Sequence, residues 1–352
     1  MRQGHQFRKG EGMKRSLNAS LKHLNSFSVE ARAGQILELE SERDLQTFAT
    51  EHPFDPENDL ILGGGSNVLF AADVHGSVIL NRVTGRKIIS DSDDGVVIEA
   101  CGGENWHQLV LWSLEQGLSG IENLSLIPGL AGAAPMQNIG AYGVELADVL
   151  DSVQAIELAS GETHEFTHAD CQFGYRDSRF KSVDAGRYLI SRIRLRLQRK
   201  FSARLNYAGI GDELRNMGID EPTARQVSDA VIRIRRRKLP DPELVGNAGS
   251  FFKNPVVDQT TADLLKLDFD GIPVYPMSDG KAKLSAGWLI DQCGWKGHRE
   301  GDAGVSDRHA LILVNYGNAS GRHILELAHA IGDSVKRHFG VELQAEPRII
   351  NK

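Results

Sequence analysis

Three stretches of this chain crowd together side chains that could act on a charged or polarised substrate. The run Cys171-Gln-Phe-Gly-Tyr-Arg-Asp-Ser-Arg-Phe-Lys181 places Tyr175, Arg176, Asp177, Ser178 and Arg179 side by side. A guanidinium is a planar fork of donors that matches a carboxylate or a phosphate, so Arg176 is a candidate for holding one. The same residues would equally make a solvated turn with an Arg–Asp pair. The run Lys238–Pro255 leads through Gly246, Asn247, Ala248 and Gly249 to Ser250, then to Phe251, Phe252, Lys253 and Asn254. A serine between a glycine turn and aromatic rings is held exposed yet sheltered from water. It is not the GxSxG elbow of hydrolases, and no histidine stands near it in sequence, so spacing alone gives no activated nucleophile. Glu346 interrupts the apolar strand Leu343-Gln-Ala-Glu-Pro-Arg-Ile-Ile350, where Pro347 makes it extended. Taken singly it reads as an edge-strand glutamate. Lys296 and His309 flank loops rich in Gly and Asp. None of the 12 histidines shows metal-ligand spacing such as HxxxH, so no catalytic metal is expected.

Two glycine-rich loops are the elements able to bring a ligand to such groups. Ile127–Gly143 carries glycine at 129, 132, 140 and 143, with Pro128 and Pro135, and Gln137, Asn138 and Tyr142 as its polar side chains. Such a composition rules out a core helix and lets backbone approach a ligand closely. Leu62-Gly-Gly-Gly-Ser-Asn-Val-Leu-Phe70 is the second. It runs from strand to strand, so it is neither a dinucleotide fingerprint, which must open a helix, nor a P-loop, which needs Gly-Lys-Ser/Thr. Its successive N–H groups suit a nest for phosphate oxygens or, equally, a tight hairpin turn. Together the two loops fit one extended ligand held from two sides, a pyrophosphate at one end and a flat ring at the other.

The 352 residues, 41% hydrophobic and 25% charged, are ordinary for a globular chain of two or three domains. A net charge of -7 argues against a nucleic-acid or anionic-membrane partner. No apolar run approaches the roughly 18 residues that span a bilayer. The polar start lacks the apolar segment of a secretory signal, and Met13 is an alternative start. Cys101, Cys171 and Cys293, widely spaced, read as reduced thiols of a cytoplasmic protein. Strands are expected at Asp59–Leu62, Val96–Ala100 and Tyr188–Ile193. Helices are expected at Glu104–Gln116, Thr223–Lys238 and Ile324–Phe339, each with an apolar face. The two types mix without regular alternation, which is an α+β pattern, with a boundary near 197–205.

The stretches Leu62–Phe70, Gly120–Gly143, Cys171–Lys181, Lys238–Pro255 and Lys283–Gly297 together closely resemble the UDP-N-acetylenolpyruvoylglucosamine reductase (MurB) family, from about Asn25 to Ile350. The segment around Tyr207 resembles its type I branch. The resemblance implies a two-lobed FAD-binding domain of the vanillyl-alcohol-oxidase (PCMH) type over 26–200, with lobes 26–84 and 85–200. An N-terminal tail (1–25), partly disordered, would precede it, and a C-terminal α+β substrate domain (201–352) would follow. It implies an NADPH-dependent flavoprotein that reduces UDP-GlcNAc-enolpyruvate to UDP-N-acetylmuramate for peptidoglycan, acting as a monomer. It places Gly63, Gly64, Gly65, Ser66 and Asn67 at the FAD pyrophosphate. Pro128, Gly129, Gly132, Gln137, Asn138, Gly140, Tyr142 and Gly143 fall along the flavin, with Arg235 also at the cofactor. Arg176 and Glu346 fall at the developing enolate and Ser250 at the proton donor. Tyr207, Lys238, Asn254, Tyr275, Lys296 and His309 fall at the substrate. The chain departs from the family pattern at Ala133 and Ala134, where relatives carry serines, at His309 in place of a glutamine, and at Tyr207-Ala208 in place of Tyr-Gly.

Overall fold

The computed structural model describes residues 13–205, 209–277 and 280–351. Arg32–Leu39 and Val74–Asn81 lie parallel at the centre of a four-stranded sheet, flanked by Leu60–Leu62 and by Lys14–Ser20. Central parallel strands are covered on both faces, which is why Val78-Ile-Leu80 is a continuous buried apolar run rather than an alternating one. Lys14–Ser20 is antiparallel to Arg32–Leu39 and largely exposed. The second half of the segment expected as a tail (1–25) is thus built into the sheet. Its polar sequence, KRSLNAS, gives no apolar rhythm to announce an edge strand.

The second sheet has five antiparallel strands in the order Thr163–Thr167, Leu150–Glu157, Tyr188–Leu197, Gly95–Cys101, Arg86–Ser92. The helix Trp106–Glu115 packs on it through Trp106, Leu109, Val110 and Ser113, the face expected from its periodicity. Asn105 caps this helix by accepting from the Gln108 amide.

The C-terminal part holds a four-stranded sheet, Gly246–Ser250, Ile312–Asn315, Ala303–Val305 and Arg299–Glu300. The helix Gly321–Phe339 packs beside it, opened by a Ser320–His323 capping box and closed by Gly340 in the left-handed region. A three-stranded sheet and the helices Gln259–Asp268 and Ala286–Gln292 pack with it, while the paired helices Ile210–Asn216 and Ala224–Lys238 form a separate small core that Tyr142 joins.

The chain's end returns to its beginning. Arg348–Ile350 pairs in parallel with Val68–Phe70. Pro347 lacks an N–H, so this strand starts only after it, shorter than the apolar run suggests. Phe27 and Phe251 meet edge to face at 6.2 Å, and Asn315 Nδ2 donates to the Phe27 carbonyl at 3.0 Å. One continuous apolar core runs from Leu21–Leu80 into Phe251–Val341, so the first lobe and the C-terminal part are packed as a unit.

Candidate active site

The C-terminal segment is the hub. The Glu346 amide donates to the Phe251 carbonyl at 2.8 Å, and the Lys253 amide donates to the Gln344 carbonyl at 2.9 Å. These bonds lay Glu346 beside the strand that ends at Ser250. On the other side, Arg348 donates its amide to the Asn67 carbonyl at 3.0 Å, and Asn67 Nδ2 reaches the Glu346 carbonyl at 3.3 Å. Arg176 comes from the second lobe. Its Nε lies 3.2 Å from Glu346 Oε1, with the side chains 20% and 14% exposed, and its Nη2 donates to the Gly140 carbonyl at 2.8 Å. The Nε–H is not aimed well enough at the carboxylate to count as a hydrogen bond. The contact brings the guanidinium directly against the carboxyl group. Three stretches remote in sequence thus meet: Arg176 and Glu346 by their side chains, Ser250 by its strand.

Burial pushes the Glu346 carboxyl up from its ordinary value, and Arg176, Lys181 and Lys253 pull it down. Lys181 is pushed down by burial and by Lys253. The Tyr175 hydroxyl, raised by burial, meets the backbone amide of Asn254, and its ring carries Lys283 Nζ 4.6 Å from the centroid. Burial and the three cations act on this carboxyl in opposite directions, and burial is the larger influence. The cations around it suit a substrate carboxylate.

The two glycine loops face each other. A Cβ on Gly64 would stand 2.9 Å from the Gly129 Cα, and Ser66 Oγ donates to the Pro128 carbonyl at 3.3 Å. Leu60–Leu62 and Val68–Phe70 belong to different sheets, so Gly63–Asn67 is a crossing between sheets and not a hairpin turn. Ile127–Gly143 contains a 3-10 segment, Ala131–Gln137. It then forms a small hairpin whose two turn residues, Tyr142 (φ 52°) and Gly143 (φ 79°), both lie in the left-handed region that a type I′ turn requires. Gln137 Oε1 accepts from Asn67 Nδ2 at 2.7 Å, which ties one loop to the other. Beside them opens a cleft of about 730 Å³, mouth included, lined by Gly63, Gly102, Gly132, Ala133, Ile190 and Arg348 among others. Arg235 Nε is buried without a hydrogen-bond partner. Facing side-chain-free backbone, an adjoining cleft and an unpartnered buried guanidinium nitrogen fit a dinucleotide with a pyrophosphate and flat rings, as FAD has. Asn138 stands apart. It is 1% exposed, donates to Glu145 Oε2 at 2.7 Å and to the Gly174 carbonyl at 3.3 Å, and accepts from the Ala147 amide at 2.9 Å, so its polar atoms are spent on neighbouring segments of the protein.

Of the substrate candidates, Lys238, Lys296 and His309 come together: both lysine charges, after burial, hold the imidazole below its ordinary value. Asn254 Oδ1 accepts from the Ala286 amide at 3.0 Å and so caps a helix, while Tyr275 is half exposed on an edge strand. Tyr207 lies outside the described residues. Motif reading passes over Lys181, Lys253 and Arg348. The first two sit inside the runs that carry Arg176 and Ser250, and Arg348 follows Glu346 by two residues, so nearness to those residues was the available signal.

Comparison with known proteins agrees with this geometry. Residues 33–167 match the FAD binding domain family, and residues 241–350 match the C-terminal domain of UDP-N-acetylenolpyruvoylglucosamine reductase. The UDP-N-acetylenolpyruvoylglucosamine reductase of Burkholderia multivorans is 50% identical over 325 residues, 92% of this chain and 93% of that protein. That of Pseudomonas aeruginosa is 49% identical over 335 residues, 94% and 98% of the two chains. The crystal structure of the reductase (MurB) from Thermus caldophilus superposes with a TM-score of 0.64 at 27% identity, covering 96% of this chain and 98% of that one. Fold, site and similarity converge: the chain belongs to the UDP-N-acetylenolpyruvoylglucosamine reductase family, flavoprotein oxidoreductases with an FAD-binding domain and a C-terminal α+β domain.

Proposed function

We propose that this chain reduces UDP-GlcNAc-enolpyruvate to UDP-N-acetylmuramate, a step of peptidoglycan precursor synthesis, with Arg176, Ser250 and Glu346 as its catalytic groups. The observation that carries the assignment is the meeting of Arg176 and Glu346 at 3.2 Å beside the strand of Ser250 and against the glycine turn at Asn67. FAD, when bound, takes hydride from NADPH and supplies it to the enolpyruvyl double bond. Gly63, Gly64, Gly65, Ser66 and Asn67 would hold its pyrophosphate, and Arg235, on the side of Tyr142, would also touch the cofactor. Pro128, Gly129, Gly132, Gln137, Gly140, Tyr142 and Gly143 would lie along its ring; Asn138 anchors that loop to the segments around it.

Hydride arriving at the β-carbon leaves negative charge on the α-carbon and its carboxylate. Arg176 presents its guanidinium to that charge, where a donor aimed at developing charge lowers the barrier most. Ser250 gives its hydroxyl proton to the α-carbon; a weak acid suits so basic a carbanion. Glu346, raised by burial, acts in its protonated form opposite Arg176 and keeps a second negative charge away from the enolate. Tyr207, Lys238, Asn254, Tyr275, Lys296 and His309 hold the UDP-sugar or the rest of the substrate. The enzyme works as a cytoplasmic monomer. Among the described residues no helix is long and apolar enough to cross a membrane.

The test is direct. The purified protein is expected to show flavin absorbance, to bleach anaerobically with NADPH, and to recover its colour on addition of UDP-GlcNAc-enolpyruvate. Reduced flavin that this substrate leaves bleached would refute the proposal.

A further inference from the structure

We propose that Lys181 is a positioning residue for Arg176: its ammonium ties the Arg176 backbone to the flavin-lining loop and so keeps the guanidinium against Glu346. The inference rests on the roles of Arg176 and Glu346 proposed above. Lys181 Nζ lies 3.3 Å from Gln137 Oε1 and 3.3 Å from the Arg176 carbonyl. Gln137 Oε1 also accepts from Asn67 Nδ2, which in turn reaches the Glu346 carbonyl. Glu346 closes the circuit on Arg176. Lys181, Gln137, Asn67, Glu346 and Arg176 therefore form a ring drawn from four separate segments: the 171–181 run, the two glycine loops and the C-terminal segment. Two donors on one amide oxygen also fix the orientation of Gln137 within the loop.

Arg176 needs such support. Its φ of 54° is one a non-glycine residue keeps only where its surroundings over-determine it. Gly174 and Asp177 exchange backbone bonds of 3.1 and 3.3 Å around it, and Arg176 itself donates to Gly140. Lys181 supplies the side-chain donor to the Arg176 carbonyl. Charges facing Lys181 are Lys253, Glu346, Asp177 and Arg176, and those facing Glu346 are Arg176, Lys181 and Lys253. Removing Lys181 takes one of three cations from Glu346 as well as the tie on Arg176.

The experiment compares Lys181→Met, Lys181→Gln and Lys181→Arg with the wild-type holoenzyme in the two separate half-reactions. Flavin reduction by NADPH is expected to stay within about threefold of wild type in Lys181→Met, while reoxidation by UDP-GlcNAc-enolpyruvate slows about ten- to a hundredfold. The alkaline limb of reoxidation moves to higher pH, because Glu346 with fewer cations around it keeps its proton longer. Lys181→Arg, which keeps donor and charge, recovers most of the rate. Lys181→Gln, smaller in effect on packing, keeps a donor without the charge and shows the same displaced limb, so it reads the charge even where Lys181→Met binds flavin poorly. Reoxidation at the wild-type rate, or an equal loss in both half-reactions with the alkaline limb in place, overturns the inference. A wild-type protein that the substrate fails to reoxidise removes the functional reading instead, so the two failures are distinguishable.

Discussion

Arg176→Met is the substitution whose consequence can be worked furthest from the structure. Across a contact of about 4 Å, the guanidinium and a unit negative charge developing on the substrate attract by about 4 kcal/mol at an effective dielectric constant near 20. That figure is an upper one, since the Arg176 side chain keeps some contact with water and Lys181 and Lys253 still stand beside Glu346 after the change. Breaking a buried pair typically costs about 3–5 kcal/mol. With two cations remaining, the lower end, about 3 kcal/mol, is the expected loss where negative charge develops. This corresponds to reoxidation slower by about 10² to 10³. Reduction of the flavin by NADPH builds no enolate and is expected to stay within about threefold of wild type. The assay is anaerobic stopped-flow absorbance: reduce each protein with NADPH, mix with UDP-GlcNAc-enolpyruvate, and follow the return of flavin colour. Reoxidation of Arg176→Met within about threefold of wild type would refute the argument that Arg176 carries the developing charge.

Further outcomes follow from the same site. Ser250→Ala is expected to leave NADPH reduction intact and to slow reoxidation by about 10² to 10⁴, the worth of a positioned proton donor; unchanged turnover would remove Ser250 from its role. Gly64→Ala puts a Cβ 2.9 Å from the Gly129 Cα, so the two loops must part. It is expected to weaken FAD binding about tenfold or more, measured by flavin released on dialysis and retained by wild type. The raised Glu346 carboxyl contributes stability that is fully present below its unfolded value near 4.5 and is lost as pH rises through its folded value. Melting of wild type against Glu346→Gln from about pH 4 to pH 8 should therefore show wild type losing ground as pH rises; a gain would contradict the sign.

Much of the local structure was legible because it depends on neighbours in sequence. The helices Trp106–Glu115, Ala224–Lys238 and Gly321–Phe339 carry apolar faces at helical spacing. Their caps at Asn105, Thr223 and Ser320 are side-chain bonds to amides a few residues on. Lys14–Ser20 was not legible, because an exposed edge strand needs a partner and not a pattern. Nor was the fate of polar residues in the loops. Asn138 spends its side chain on Glu145 and Ala147, and Asn254 spends its oxygen on a helix start, choices made by what folds against them.

The glycine loops, the α+β mixture, the family, and the residue types able to do the chemistry can all be read from the chain alone. Backbone freedom and side-chain chemistry are properties of single residues and short motifs. Folding alone brings Glu346, an ordinary edge-strand glutamate when read singly, against Arg176 and beside the strand of Ser250. The cause is the return of Arg348–Ile350 to pair with Val68–Phe70. That pairing carries the C-terminal segment between the glycine turn and the Ser250 strand, buries the carboxyl, and raises it. Burial and charge proximity arise from contacts between segments far apart in the chain, so no local pattern encodes them.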